Sequence, residues 1–246
     1  MRLTDKNAIL EALRAGRAVL HVTFHTQPKK DPRLAEIEQL ARAAGAAVQV
    51  GDPWQRGRGQ ERAECALEAE CADFTYTPLD RIIKLARNAG PAAQVIALDH
   101  VEDPHNLGAV IRSAAAAGAV AVIIENRRCS PVTAVAYETS SGAAERVPVC
   151  MVANLRSTLE DFKKRDFWIA GADERADQSV YDTDLAVPLV WVMGAEGSGL
   201  SRLVGETCDF LVRIPTNPQF PSLNVSVAAG VLLFEAKRQK DRKQKN

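Results

Sequence analysis

Residues 97–112 read ALDHVEDPHNLGAVIR, an apolar strand end followed by a polar turn and the opening of a helix. Two later stretches have the same form: VMGAEGSGL at 192–200 and RIPTNPQFPSLNVS at 213–226. Each begins where an apolar run stops, and strand-end loops are where an α/β scaffold carries its chemistry. The three are therefore expected to converge on one site. Around them, apolar runs recur at Val95–Leu98, Val120–Ile124, Val147–Val152, Phe167–Ala170, Leu189–Met193 and Phe210–Ile214. Short, nearly continuous and often β-branched runs are the pattern of strands buried on both faces of a parallel sheet. Helical spacing lies between several of them, at Leu107–Ala117, Ala134–Ala144, Leu155–Lys164 and Leu200–Val204, and a last helix runs from Val225 to about Lys237.

Ahead of this half the pattern is looser. Ile9, Leu10 and Leu13 share a helical face, residues 18–24 read as a strand, Arg33–Ala44 as a helix and 46–50 as a strand. That order predicts a small α/β unit over residues 1–76, a linker over 77–92 with Gly90-Pro91 as its boundary, and the parallel-sheet domain over 93–246.

Composition excludes several classes. Thirty-one Lys plus Arg balance 31 Asp plus Glu, so no global charge advertises a polyanion ligand, although local basic patches remain compatible with one. The five cysteines contain no CxxC pair and read as thiols of a reducing compartment rather than a metal site or disulfide framework. No stretch approaches the length of a membrane span and the N-terminus lacks an apolar leader, so the expectation is a soluble, cytoplasmic protein without a metal.

Within the three stretches, Asn106 is typed to cap the helix that follows it. Arg112 sits on an otherwise small and apolar helix, where it either pairs with Asp99 or Asp103 or serves function. Gly194, Gly197 and Gly199 permit close backbone approach, but their spacing is neither GxGxxG nor a P-loop, which removes support from conventional nucleotide-binding readings. Ser222 or Asn224 could cap the last helix, and two polar residues around Leu223 exceed what a cap needs.

Taken together, DPHNLGAVIRSA, VMGAEGSGL, and IPT followed by SLNVSVAAG resemble the three motifs of the SpoU (TrmH) family in the SPOUT superfamily, over residues 93–239. The resemblance implies an RNA 2′-O-ribose methyltransferase that uses S-adenosylmethionine, is a homodimer, and carries a deep C-terminal trefoil knot on its α/β domain. By the same resemblance Arg112, Asn106, Glu196, Ser222 and Asn224 would be catalytic or orienting, and Gly194, Ile214, Leu223, Pro215, Gly171 and Ala172 would surround the cofactor. His100 and His105 are expected to be structural. The N-terminal unit resembles the small RNA-binding domain of the enzymes acting on large-subunit ribosomal RNA, which makes a 23S rRNA guanosine the expected target. Lys29, Lys30, Arg33, Arg56 and Arg58, with the tail Lys237, Arg238, Lys240, Arg242 and Lys243, are the expected phosphate contacts. A transfer-RNA enzyme of the same family and a non-catalytic RNA-binding assembly factor are the alternatives.

Overall fold

The computed structural model describes residues 1–51, 65–220 and 222–243. The N-terminal part contains β1 (Arg2–Leu3), α1 (Lys6–Arg14), β2 (Val19–Phe24), α2 (Pro32–Ala43), β3 (Ala47–Val50) and β4 (Leu67–Cys71). Its sheet has the order β1-β4-β2-β3, with β2 and β3 parallel and β4 antiparallel to both of its neighbours. Strand β4 was not among the expected elements, because three of the five residues of LEAEC are alanine or glutamate, which are depleted in strands. It forms because Leu67, Ala69 and Cys71 alternate inward, while Glu68 faces outward and pairs with Arg2 across the sheet edge.

The remainder runs α3 (Leu79–Ala89), β5 (Gln94–Leu98), α4 (Pro104–Ala117), β6 (Ala121–Glu125), α5 (Ala134–Thr139), β7 (Val149–Val152), α6 (Leu155–Lys163), β8 (Trp168–Ala172), β9 (Leu189–Met193), α7 (Arg202–Thr207), β10 (Phe210–Val212) and α8 (Val225–Lys243). Six strands form one parallel sheet in the order β10-β8-β9-β5-β6-β7. Alternate residues enter opposite cores, as the twofold strand period requires. Ile96, Leu98, Val122, Ile124, Trp191 and Met193 pack with α4, α5, α8 and the N-terminal unit. Val95, Ala97, Ile123, Val190 and Val192 pack on the other face with α3 and α6. Ile82, Ile83 and Ala86 of α3 belong to this second core, so α3, within the 77–92 segment, covers the sheet.

Helix α5 ends at Thr139, short of the expected Ala144, because Ser141 and Gly142 both take positive φ. A Cβ on Gly142 would lie 2.5 Å from the Cβ of Glu11, so glycine there lets α1 press against the turn. The same contact region holds Arg17, whose guanidinium lies 5.1 Å from the ring centres of both Phe74 and Tyr137 and bonds Glu145 at 2.6 Å through Nε. Tyr137 donates to the same carboxylate at 2.8 Å, and burial together with that carboxylate pushes its hydroxyl pKa well up. Gly108 of α4 allows a similarly close approach, since a Cβ there would lie 2.4 Å from the carbonyl oxygen of Ala136 in α5.

The basic tail does not behave as a uniform solvated run. Lys240 is 5% exposed and its Nζ donates to the carbonyls of Ala93 at 2.7 Å and Ala92 at 3.3 Å, tying the end of α8 to the entry of β5. Burial lowers its pKa from 10.5 to about 7. This removes Lys240 from the set of phosphate contacts. Between those two pH values the unfolded chain holds a proton that the folded chain has released, so this group adds stability as pH rises. Lys240→Met is therefore expected to be stabilising near pH 7, and its advantage in urea midpoint should shrink as pH is raised to 10. An advantage that stays flat across that range overturns the assignment.

Candidate active site

The three strand-end stretches converge. The first follows β5, the second β9 and the third β10, and all three loops leave the carboxyl edge of the parallel sheet. Three side chains join them directly. Asn106 Nδ2 donates to Glu196 Oε1 at 3.0 Å, and Asn224 Nδ2 donates to the same oxygen at 2.6 Å. Asn224 Nδ2 also donates to Asn106 Oδ1 at 2.9 Å. The oxygen of Asn224 meanwhile accepts from the backbone N–H and the hydroxyl of Ser226, at 3.0 and 2.6 Å, so this one side chain caps α8 and closes the network.

Asn106 does not cap the helix it opens. Helix α4 starts earlier, at Pro104, with Asp103 as its cap through the His105 N–H at 2.8 Å. Asn106 is thereby carried into the first turn, 8% exposed, with its amide free for Glu196. Arg112, more than two turns along, is exposed and has no hydrogen-bonding or ionic partner among the described residues. The pairing with Asp99 or Asp103 is not made. Asp99 is 1% exposed and accepts from the Ser201 N–H at 2.6 Å, anchoring the end of the second loop.

The second loop is a tight reversal in which Ala195 and Gly199 exchange backbone hydrogen bonds of 3.1 and 2.9 Å, with Gly197 and Gly199 at φ +83° and +69°. A Cβ on Gly194 would lie 2.2 Å from the Gly199 carbonyl carbon, so only glycine lets the strand exit pass under its own loop. Beside that crossing lies a cleft lined by Ala172, Gly194, Glu196, Ile214, Ser222 and Leu223. Leu223 is 37% exposed, contrary to its buried type, because it forms part of the cleft wall. Two expected members do not line it. Gly171 lies within β8 and is packed, its Cβ position falling 2.5 Å from Leu211 and 2.9 Å from Cys208. Pro215 sits in the chain between Ile214 and Thr216, which do line the cleft.

Sequence reading missed Asp173, Arg175 and Thr216 on the same walls. The signal was available, since Asp173 directly follows the end of β8, a fourth strand-end loop. Hydrogen bonding and charge from Arg175, whose Nη2 lies 2.9 Å from Asp173 Oδ2, hold that carboxyl below the usual carboxylate range. Of the histidines, His105 Nδ1 lies 3.3 Å from Thr139 Oγ1, and His100 Nδ1 lies 3.2 Å from Asp99 Oδ1. Asp99, His100 and Glu125 come close enough to share a cation, yet Glu125 accepts from the Leu155 N–H at 2.9 Å and Asp99 from Ser201, so both carboxylates already serve as backbone anchors.

The cleft suits a small ligand held by main-chain edges and apolar surface, next to a carboxylate-centred network that fixes the loops. Removing that centre should be costly, because Asn106 would keep a buried, unpaired amide. Glu196→Ala is expected to lower unfolding free energy by about 1–3 kcal/mol, read from urea midpoints. Glu196→Gln, which retains an acceptor oxygen, should lose less.

Comparison with known proteins agrees with this geometry. The model of the SpoU rRNA Methylase family matches residues 93–234. Over 212 residues the chain is 44% identical to a 23S rRNA (guanosine-2'-O-)-methyltransferase, RlmB, of Xanthomonas campestris pv. campestris, spanning 86% of this chain and 85% of that one. An uncharacterized tRNA/rRNA methyltransferase of Mycobacterium avium is 40% identical over 241 residues, 96% of this chain and 76% of the relative. Among solved structures, the SpoU methyltransferase AviRb of Streptomyces viridochromogenes in complex with AdoMet superposes with a TM-score of 0.80 at 24% identity, covering 98% of this chain and 91% of that one. With its motifs assembled on one sheet edge, the chain belongs to the SpoU rRNA methylase family.

Proposed function

We propose that this protein transfers a methyl group from S-adenosylmethionine to the ribose 2′-hydroxyl of a guanosine in 23S rRNA. The observation that carries the reading is the Asn106–Glu196–Asn224 network, which joins all three family motifs at the rim of one cleft. The guanosine and the ribosomal RNA follow from the family and from relatives that carry that activity in their names.

The cofactor fits the residues present. Main-chain groups around Gly194, Ile214 and Leu223 would hold its adenosyl and amino-acid parts, in a lining that carries Asp173, Glu174 and Glu196 together with Arg175 and Arg213. When bound, S-adenosylmethionine supplies a methyl group activated by a positive sulfonium, so this chain must provide alignment and a route for the hydroxyl proton. A guanidinium does not deprotonate in a protein, so Arg112 stabilises the oxygen as it loses its proton and holds the neighbouring phosphate. The proton leaves through phosphate or water. Asn106, Glu196, Ser222 and Asn224 hold the loops and the ribose in register.

The segment from β8 through β10 into α8 is read as a deep trefoil knot. The insertion of β9 between β8 and β5, and the close crossing at Gly194, support that reading. A homodimer completes it. Val227 and Phe234 of α8 are 53% and 46% exposed and flank Gly230, which faces Ser113 beside Arg112. A second copy laid on this apolar stripe would desolvate Arg112 and bring it to an active site. The N-terminal unit adds RNA contacts, with Lys29 and Arg33 exposed on it; Arg56, Arg58 and the side chain of Lys30 lie outside the described residues. Five free thiols fit a cytoplasmic setting.

Arg112→Ala should lower methyl transfer to unmodified 23S rRNA by about 10²–10³-fold. Its affinity for S-adenosylhomocysteine should not change, because Arg112 does not line the cleft. Near-parental turnover would remove the residue from the mechanism. Phe234→Glu should convert the dimer to a monomer in sedimentation equilibrium and lose activity with it, and an active monomer would overturn the dimer.

A further inference from the structure

A second hollow of about 450 Å³ adjoins the cleft. Its size falls in the range of small-molecule sites, ~300–1,000 Å³. The two share Ala195, Glu196 and Ser198 of the loop after β9 and Val225 at the start of α8, so they adjoin across that loop and the first residue of the helix. The cleft sits over the ends of β8, β9 and β10, and the hollow over the ends of β9, β5 and β6, which are adjacent strands. Group transfer between two substrates needs two adjoining sites, and the methyl donor occupies only the first.

The lining of the hollow is chemically specific. His100 and Arg128 belong to it, and among the described residues they are two of four non-glycine residues with positive φ, at +61° and +60°. Such backbone costs of order 1–3 kcal/mol and concentrates where side chains must be held for function. Arg128 and Glu102 are exposed and neither has a partner among the described residues, so they do not neutralise one another. The neighbouring Asp103 is committed to capping α4. The hollow therefore offers one unused carboxylate and one unused guanidinium. Guanine presents N1–H and the N2 amino group as adjacent donors on one edge and O6 with N7 as adjacent acceptors on the other. A carboxylate matches the first edge and an arginine the second.

We propose that this hollow receives the base of the target guanosine, with Glu102 accepting from its N1–H and N2 amino group and Arg128 donating to O6 and N7. The inference rests on the methyl-transfer reading and assigns the residues that choose the base. Extruding the nucleotide from its stack would place its ribose toward the shared wall and the cleft beyond it.

The test uses the full-length protein and synthetic RNA stem-loops around the nucleotide methylated in 23S rRNA, carrying guanosine, inosine or 7-deazaguanosine at that position. The parent protein should prefer guanosine to inosine, which lacks the N2 amino group, by about 5- to 150-fold in kcat/KM. Glu102→Ala should lower kcat/KM for guanosine and bring that ratio near one. Arg128→Ala should leave the inosine ratio intact but abolish the loss that 7-deazaguanosine causes in the parent protein. Both variants should bind S-adenosylhomocysteine as the parent does and melt at the same temperature, since both side chains are exposed and have no partner among the described residues. Unchanged base ratios in both variants, with methyl transfer intact, overturn the base-reading hollow alone. Absence of methyl transfer from the parent protein to any RNA overturns the methylation reading and this inference with it.

Discussion

One carboxylate oxygen organises the carboxyl edge of the sheet. Glu196 Oε1 accepts from Asn106 and from Asn224, and Asn224 returns to Asn106, so three loops from distant parts of the chain are locked by hydrogen bonds that include a charge. Side chains separated by 90 and 118 residues meet there. Because Asn224 also caps α8, the same network sets where the last helix begins and hence how it lies on α4. The cleft and the adjoining hollow are both walled by the Glu196 loop, so the position of that loop fixes both volumes.

Close backbone approach makes this convergence possible. Gly194 passes under Gly199, and Gly108 lets α5 lie against α4, each at a distance that a single methyl group would forbid. The sheet supplies the rigid base, its strands buried on both faces between two apolar cores. The N-terminal unit is not loosely appended. Arg17 is held between two aromatic rings and bonded to Glu145, and Tyr137 closes the arrangement from the sheet domain. A buried cation of this kind is stable only with its carboxylate and its hydrogen bonds in place, so it favours one seating of α1 on the turn after α5.

The parallel sheet was legible because β5, β6 and β9 are apolar at every position or nearly so, a pattern that no amphipathic helix shares. Strand β4 was not legible, because alanine and glutamate do not announce a strand and only its two neighbours make it one. The site was legible in its residues but not in their arrangement. Asn106 has a residue type suited to capping and sits near a helix start, yet Asp103, three residues earlier, makes the cap. Charge alone allows Arg112 to pair with a nearby aspartate, but Asp99 and Asp103 are each taken by backbone N–H groups. Lys240 reads as one charge in a basic tail, and it is buried because α8 continues far enough to reach the carbonyls of Ala92 and Ala93.

The sequence by itself determined the parallel sheet, the family and the three loops that carry the chemistry, since apolar periodicity and motif residues are local properties of the chain. Only the tertiary structure decided which polar atoms face one another. It placed Glu196 between two asparagines, left Arg112 on an exposed helix face without a partner among the described residues, moved Gly171 from the cleft into packing, and opened a second hollow behind the loop of the first. The physical reason is that hydrogen-bond partnership and burial depend on distances between segments far apart in the chain. Neither is specified until the sheet brings those segments to a common edge.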